Sequence, residues 1–306
     1  MNAPRPRMLG IVGDSGTGKT TLTHGVARIL GQQGVTPICL DDYQRFSRAE
    51  RLARGLAGAD PDANDLTLMA THLEALRAGG TIQKPVYDHD TGILRDPEAV
   101  AATGLVIAYG MLTLTPSSLA NLFDLTVYLD PDDALHQHWR FQRDTTERGY
   151  APAQVLAFQD ANDRAARRYV ARQRRHSNLV VRFHIAHGYE RFPKESAQRM
   201  EILLRQTANF AGLAPFLDQV ERRTVPGMHL DRAIIDADGR RSDRLFIDAH
   251  VNQAVCEQMI DLIWPAHLGQ PHVPFSLPAT DSSQVAFNPG LTLLPILVAS
   301  MLVQRP

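Results

Sequence analysis

Two hydrophobic textures alternate along the chain. One is the short, nearly unbroken apolar run: Met8–Val12, Thr36–Leu40 (TPICL), Leu105–Tyr109 (LVIAY), Leu125–Leu129 (LTVYL) and Leu179–Phe183 (LVVRF). Runs of this length that do not alternate with polar residues read as strands buried on both faces. The other texture has apolar residues at helical spacing. Leu22, Val26, Ile29 and Leu30 precede Gly31, and Leu66, Met69, Leu73 and Leu76 precede Gly79-Gly80. Glycine just past a periodic run marks a helix end. Asp130-Pro131-Asp132-Asp133 reads as another helix start, with Asp130 as N-cap and Pro131 at the first helical position. Strands alternating with helices predict an α/β fold, a mainly parallel sheet covered by helices on both faces, with ligands at its carboxyl edge. Ala49–Asp65, rich in Gly, Ala and Asp, reads as loop with a short helix.

After about Arg205 the texture changes. Met228–Ile235 and Arg244–Val251 read as strands, Val255–Ile263 as a helix, Gln270–Asn288 as a Pro/Ser-rich loop and Leu291–Val303 as a last buried helix. The expected organisation is a core over 1–204 and an α+β extension over 205–306 that completes the sheet or buries a dimer face.

The chemistry is densest behind the first strand. Gly13-Asp14-Ser15-Gly16-Thr17-Gly18-Lys19-Thr20-Thr21 contains G-x-x-x-x-G-K-[ST], with a strand before it and a helix after it. Glycines let backbone N–H groups turn onto phosphate oxygens, and the helix N-terminus adds positive potential. Lys19 is placed to reach the β/γ-phosphates and Thr20 to hold Mg²⁺. The motif therefore predicts ATP or GTP binding.

The second run ends in Asp41-Asp42. A carboxylate at the carboxyl tip of a parallel strand faces the ligand crevice. Asp41 there could take a proton from a hydroxyl, hold Mg²⁺, or simply cap a turn. Tyr43–Arg48 (YQRFSR) is either a solvated loop or a phosphate-binding wall. Ile82–Thr91 (IQKPVYDHDT) carries Lys84, Tyr87, Asp88 and His89. Pro85 removes a ladder donor, so this stretch is an edge or a loop. From Arg140 to Arg175 nine arginines face four acids. Pairs such as Asp144/Arg148 at i,i+4 account for part of this. A lid whose guanidinium groups neutralise phosphates accounts for more.

Composition narrows the picture. With 306 residues, 44% hydrophobic, 21% charged and a net charge of −1, the chain has an ordinary globular balance, and a nucleic-acid or acidic-membrane binder is not expected. The two cysteines, Cys39 and Cys256, are too few for a disulfide framework and fit a reducing cytoplasm. MNAPRPR runs straight into the first strand, leaving no room for a signal peptide. Leu291–Val303 falls short of the roughly 20 residues that span a bilayer. Only three of the 32 basic residues are lysines, Lys19, Lys84 and Lys194. Against an Arg-rich background, a lysine suits a site wanting a compact, flexible point charge.

These motifs together resemble the phosphoribulokinase family, P-loop kinases related to uridine kinase. Gly13–Thr20 resembles its phosphate loop and Asp41-Asp42-Tyr43 its D-D-[YF]-H. Lys84-Pro85-Val86-Tyr87-Asp88-His89-Asp90-Thr91-Gly92 is similar to K-P-x-Y-N-H-x-T-G. Gln142-Arg143-Asp144 with Glu147-Arg148-Gly149 is similar to Q-R-D-x-x-E-R-G. The segments Arg244–Trp264 and Asn288–Leu302 resemble the family's C-terminal part. The resemblance implies ATP, Mg²⁺ and D-ribulose 5-phosphate in the carbohydrate metabolism of the Calvin cycle, and a homodimer. It implies Asp41 as base, with Thr20 and Asp41 near Mg²⁺, and Lys19 with lid arginines on the transferring phosphoryl group. Arg48, Lys84, Tyr87, His89, Arg143 and Arg148 fall at substrate positions, and Asp144 at a catalytic one. The chain departs from the pattern at Gln44, where the family has His, at Tyr109, where it has Glu, and at Thr17, where thioredoxin-switched relatives have Cys. Tyrosine is uncharged at neutral pH and a poor Mg²⁺ ligand. No disulfide switch is expected.

Overall fold

All five apolar runs form strands; Leu125–Leu129 keeps its limits, and the other four differ from theirs by one or two residues at an end. A computed structural model describes residues 5–185, 198–205, 210–222, 225–264, 268, 271 and 289–304. In chain order the elements are β1 (Arg7–Gly13), α1 (Lys19–Leu30), β2 (Val35–Cys39), α2 (Arg48–Ala53), α3 (Leu66–Arg77), β3 (Thr81–Asp88), β4 (Ile93–Ala101), β5 (Leu105–Gly110) and β6 (Leu125–Leu129). Then follow α4 (Asp133–Thr146), α5 (Pro152–Ala165), β7 (Leu179–Ile185), β8 (Gln198–Arg205), α6 (Ala214–Glu221), β9 (Met228–Ile235), β10 (Arg241–Ile247), α7 (Gln253–Ile263) and α8 (Pro289–Val303). They group into two compact units. One comprises Met1–Lys19, Gln33–Leu129 and His136–Ser177, and the other Thr20–Gln32, Asp130–Leu135 and Asn178–Pro306.

In the first unit β2, β5, β1 and β6 lie side by side, all parallel. The central strand β1 pairs Leu9 with Ile107 on one side and with Leu125 on the other. Met8, Leu9, Ile11, Val12, Ile107 and Val127 are fully buried, which is why these segments are apolar on both faces. Because the strands are parallel, the carboxyl ends of β1, β2 and β5 open at one edge. Gly13–Lys19, Asp41-Asp42 and Gly110-Met111 follow those three ends. Local signals set the helices around them. Ser47 and Glu50 form a reciprocal capping box on α2, and Asp65 caps α3 by accepting from the Leu68 N–H at 3.1 Å. Separately, β3 and β4 form an antiparallel ribbon whose register shifts between Lys84 and Val86, at Pro85.

In the second unit β7, β8, β10 and β9 form an antiparallel ladder. Helix α8 is apolar on every face and buried along most of its length. It lies against α1 at Gly25, where a Cβ would come 2.8 Å from a ring carbon of Pro295. Arg205, fully buried, donates to Asp236 at 2.8 Å and also to Asp238. Asp236 further accepts from the Ser242 hydroxyl at 2.7 Å. No helix among the described residues is long and apolar enough to cross a membrane.

Three local readings change. Asp130 does not cap a helix and Pro131 is not its first residue, because α4 begins at Asp133. The Asp130 and Asp132 N–H groups instead donate to the Val181 and Phe183 carbonyls at 2.8 and 2.9 Å, so this segment runs extended beside β7. Pro131, which has no N–H, sits at the residue between the two donors. The strand read over Arg244–Val251 is Arg241–Ile247. Neither β4 nor β8 stands out in the sequence. The Pro/Ser-rich loop read over 270–288 lies, Pro271 apart, outside the described residues.

Candidate active site

The loop after β1 turns through Gly16 (φ 86°) and Gly18 (φ 89°), left-handed conformations that only glycine adopts freely. The buried Lys19 ammonium folds back to donate to the carbonyls of Gly13 at 3.0 Å and Asp14 at 2.8 Å. Thr17 donates its hydroxyl to the same Asp14 carbonyl. Gly13 is tight for a second reason: a Cβ there would sit 2.4 Å from the Thr17 hydroxyl. Thr20 and Thr21 follow Lys19 in the first turn of α1.

Asp41 lies just beyond β2. One carboxylate oxygen accepts the Met111 N–H at 2.7 Å, and the other stands 3.9 Å from the Lys19 ammonium. Gly110 permits this approach, since a Cβ there would come 3.0 Å from Asp41 Oδ1. The neighbouring Asp42 points elsewhere. It is buried and bonded to the Lys84 ammonium at 2.5 Å and to His89 Nε2 at 3.2 Å. Lys84 also reaches Glu98 at 3.0 Å. Burial pushes the Lys84 pKa down, but the bonds and charges of Asp42 and Glu98 outweigh it and the net shift is upward. Lys84 is therefore a fixed cation behind the site wall. Cys39, Asp42 and His89 offer ligand atoms within 4.8 Å of one another, but the Lys84 ammonium already supplies Asp42's positive partner. Tyr109, next to last in β5, pairs with Cys39. Burial, with Cys39 and the two aspartates nearby, pushes its phenol pKa up, so it stays neutral.

The β3–β4 ribbon and its turn supply the next group. Asp88 accepts the Asp90 and Thr91 N–H groups at 3.0 Å each and pairs with Arg95, which holds the turn and pushes its carboxyl well below the usual range. Arg48 donates to the carbonyls of Asp90 and His89, and its guanidinium lies 5.5 Å from the Tyr150 ring centre. Tyr87 meets His89 edge-on at 5.1 Å, and its buried hydroxyl has no hydrogen-bond partner among the described residues.

Helix α4 passes over the phosphate loop. A Cβ on Gly16 would lie 3.3 Å from the Arg140 backbone, and His136 Nε2 donates to the Ser15 carbonyl at 2.8 Å. Asp144, 7% exposed, gathers the arginines: Arg143 at 2.7 and 3.0 Å and Arg148 at 3.3 Å, with Arg140 at 3.9 Å. The expected Asp144/Arg148 pair is thus present. Arg143 reaches on to the Ser15 hydroxyl at 3.0 Å. Burial and the neighbouring Arg143 lower the Arg148 pKa.

These groups line a cavity of about 840 Å³. Asp14, Ser15, Asp41, Arg48, Tyr87, His89, Arg143, Asp144 and Arg148 are on its wall; Lys19 and Lys84 are not. Arg140, Arg164 and Arg168 add further cations. A carboxylate with one oxygen unbonded by the backbone, an ammonium opposite it and a ring of guanidinium groups suit transfer of an anionic group to a hydroxyl. The sequence reading missed His136. The i,i+4 spacing of His136 and Arg140 on a helix beside the loop is a signal that could have shown it.

Residues 8–185 match the Phosphoribulokinase / Uridine kinase family. The chain is 35% identical over 174 residues to the phosphoribulokinase of Synechocystis sp., which covers 57% of this chain and 52% of the relative. It is 29% identical over 191 residues to the chloroplastic phosphoribulokinase of Mesembryanthemum crystallinum, covering 57% and 48%. To the uridine kinase of Brevibacillus brevis it is 36% identical over 148 residues, covering 47% and 69%. The match thus spans about half the length of these phosphoribulokinases. The solved structure of phosphoribulokinase from Rhodobacter spheroides superposes with a TM-score of 0.58 at 16% identity, covering 84% of this chain and 95% of that one, which shows a shared fold.

Proposed function

The chain belongs to the Phosphoribulokinase / Uridine kinase family, and from that membership we propose that it is an ATP-dependent kinase of sugar phosphates, with D-ribulose 5-phosphate as acceptor and ribulose 1,5-bisphosphate and ADP as products. One observation carries the reading: Asp41, on the wall of an arginine-rich cavity, faces the buried Lys19 ammonium at 3.9 Å. In this reading Asp41 Oδ2 takes the proton of the attacking hydroxyl. The Met111 N–H on the other oxygen fixes the direction of the lone pair. The loop over Gly13–Thr21 holds the nucleotide phosphates, and Lys19 exchanges its bonds to the Gly13 and Asp14 carbonyls for phosphate oxygens. Arg48, Tyr87, His89, Arg143 and Arg148 hold the acceptor, with Asp144 keeping the arginines apart and oriented. Lys84 serves by fixing Asp42 and, through it, His89.

Thr20 and Asp41 offer the hard oxygen donors that Mg²⁺ takes, and Tyr109 does not add to them. Bound there, the ion would neutralise charge on the transferring phosphoryl group. The ring of cations favours an acceptor that already carries a phosphate over a neutral nucleoside. A homodimer belongs to the same proposal and is decided by sedimentation of the full chain.

The test is ADP release with ATP and Mg²⁺ against D-ribulose 5-phosphate, other pentose phosphates and uridine. Turnover with a pentose phosphate is expected, and Asp41→Asn should lose about 10²–10⁴-fold of it. Turnover with uridine alone would move the chain to the nucleoside kinases. Silence with all of them would leave a nucleotide-binding relative without catalysis.

A further inference from the structure

Helix α4 holds the outer turn of the phosphate loop with His136, Arg140 and Arg143, which share one helix face at i, i+4 and i+7. The Arg140 backbone closes on Gly16, and Arg143 takes the Ser15 hydroxyl at 3.0 Å. His136 Nε2 takes the Ser15 carbonyl at 2.8 Å. A carbonyl only accepts, so Nε2 carries the proton. The Asp14 carboxylate stands 3.8 Å from the same nitrogen and favours a proton there. It is itself fixed by the Ser15 N–H at 2.7 Å. Imidazole and carboxylate are each 16% exposed, so water competes little for either.

The bond settles the direction of a second group. In a planar trans peptide the C=O and the N–H that follows it point opposite ways. Holding the Ser15 carbonyl toward α4 therefore turns the Gly16 N–H away from α4. That N–H has no hydrogen-bond partner among the described residues. Gly16, at φ 86°, tolerates either orientation of this peptide, so the local chain does not choose between them and the His136 bond does.

We propose that His136 is a positioning residue that aims the Gly16 N–H at a phosphate oxygen of the bound nucleotide. The proposal rests on the reading of Gly13–Thr21 as the nucleotide loop. Lys19 gives up the Gly13 and Asp14 carbonyls when phosphate arrives, whereas the His136 bond comes from outside the loop and persists. A donor already aimed costs no reorganisation when the anion binds. Without the imidazole, the Ser15–Gly16 peptide is free to turn its carbonyl toward phosphate, where oxygen faces oxygen. The loss falls on the nucleotide and spares the acceptor, because His136 does not line the cavity.

The experiment measures ADP binding to the full chain by calorimetry, with Mg²⁺ present, for wild type, His136→Leu and His136→Gln, alongside KM for ATP and for the acceptor. His136→Leu should weaken ADP and raise KM for ATP by about 5- to 30-fold, with KM for the acceptor within about 2-fold. His136→Gln, whose side-chain N–H can reach the same carbonyl, should recover ADP binding to within about 3-fold of wild type. In wild type alone, the Gly16 amide proton should move downfield when ADP is added to ¹⁵N-labelled protein. A Gly16 resonance that ignores ADP overturns the proposal without any variant having to fold. So does a His136→Leu protein that binds ADP as wild type does, a Gln variant as weak as the Leu one, or an acceptor KM that rises as far as that for ATP. Wild type that binds no ADP refutes the nucleotide-loop reading and this inference with it. ADP binding that answers to His136 sustains this inference even where no acceptor turns over.

Discussion

Replacing Lys84 by methionine should damage the protein through Asp42. The two side chains are 6% and 11% exposed and 2.5 Å apart, so the pair is shielded from water on nearly all sides. Methionine keeps most of the lysine's stem volume, which isolates the charge. Asp42 would then be a buried carboxylate whose remaining partner is His89 at 3.2 Å. Removing one member of a buried ion pair costs about 3–5 kcal/mol, most of it the penalty of the orphaned charge. The Glu98 contact adds little, because that carboxylate is 57% exposed and solvent replaces the lysine there. For a unit of this size the loss corresponds to a drop in Tm of roughly 6–20 °C. The double variant Lys84→Met/Asp42→Asn removes both charges and should recover most of it. Thermal unfolding followed by circular dichroism at pH 8, at low and high salt, measures both. The cost should change little with salt, since a buried pair is poorly screened. A drop of less than 2 °C for Lys84→Met, or a double variant as unstable as the single, would refute the reasoning and return Lys84 to the surface as a substrate contact.

Three further outcomes are expected. Gly110→Ala puts a methyl 3.0 Å from Asp41 Oδ1, and turnover should fall about 10- to 100-fold while ATP affinity measured by calorimetry stays within about 2-fold. Tyr109→Glu adds a third carboxylate beside Asp41 and Asp42 and should not raise turnover; a gain of orders of magnitude in steady-state assays would mean the wild-type site is catalytically impaired. Burial raises the Asp236 pKa, but the Ser242 hydroxyl, the Arg240 N–H and the Arg205 guanidinium outweigh it and hold the carboxyl at about 2. A depressed carboxyl stabilises the fold above its unfolded pKa and loses that contribution as pH falls through the folded one. The wild type should therefore lose about 2 kcal/mol between pH 4 and 2 that Asp236→Asn does not lose, read from urea unfolding across pH.

What the chain discloses in advance follows the range of the interactions involved. The phosphate loop and the four parallel strands are legible because their signals are local: glycines where φ is positive, and continuous apolar runs where both faces are covered. β4 is invisible because it is exposed along nearly its whole length and pairs with β3 in a two-stranded ribbon, so its residues answer to no core. Asp130-Pro131 carries a sound capping signature that loses to tertiary structure, since pairing beside β7 satisfies two N–H groups that a cap would have served differently. Lys84 stands out by scarcity, but its partner is 42 residues away, and only the fold shows that it braces the wall instead of lining it.

The seam between α1 and α8 ties the helix that starts at Lys19 to a segment that starts 270 positions downstream, at Pro289. Position 25 has no room for a side chain while a pyrrolidine ring occupies position 295. Through the course of descent the two sites are therefore not independent: a lineage that places alanine or serine at 25 must first have traded the ring at 295 for something smaller, and homologues should show the two changes arriving in that order.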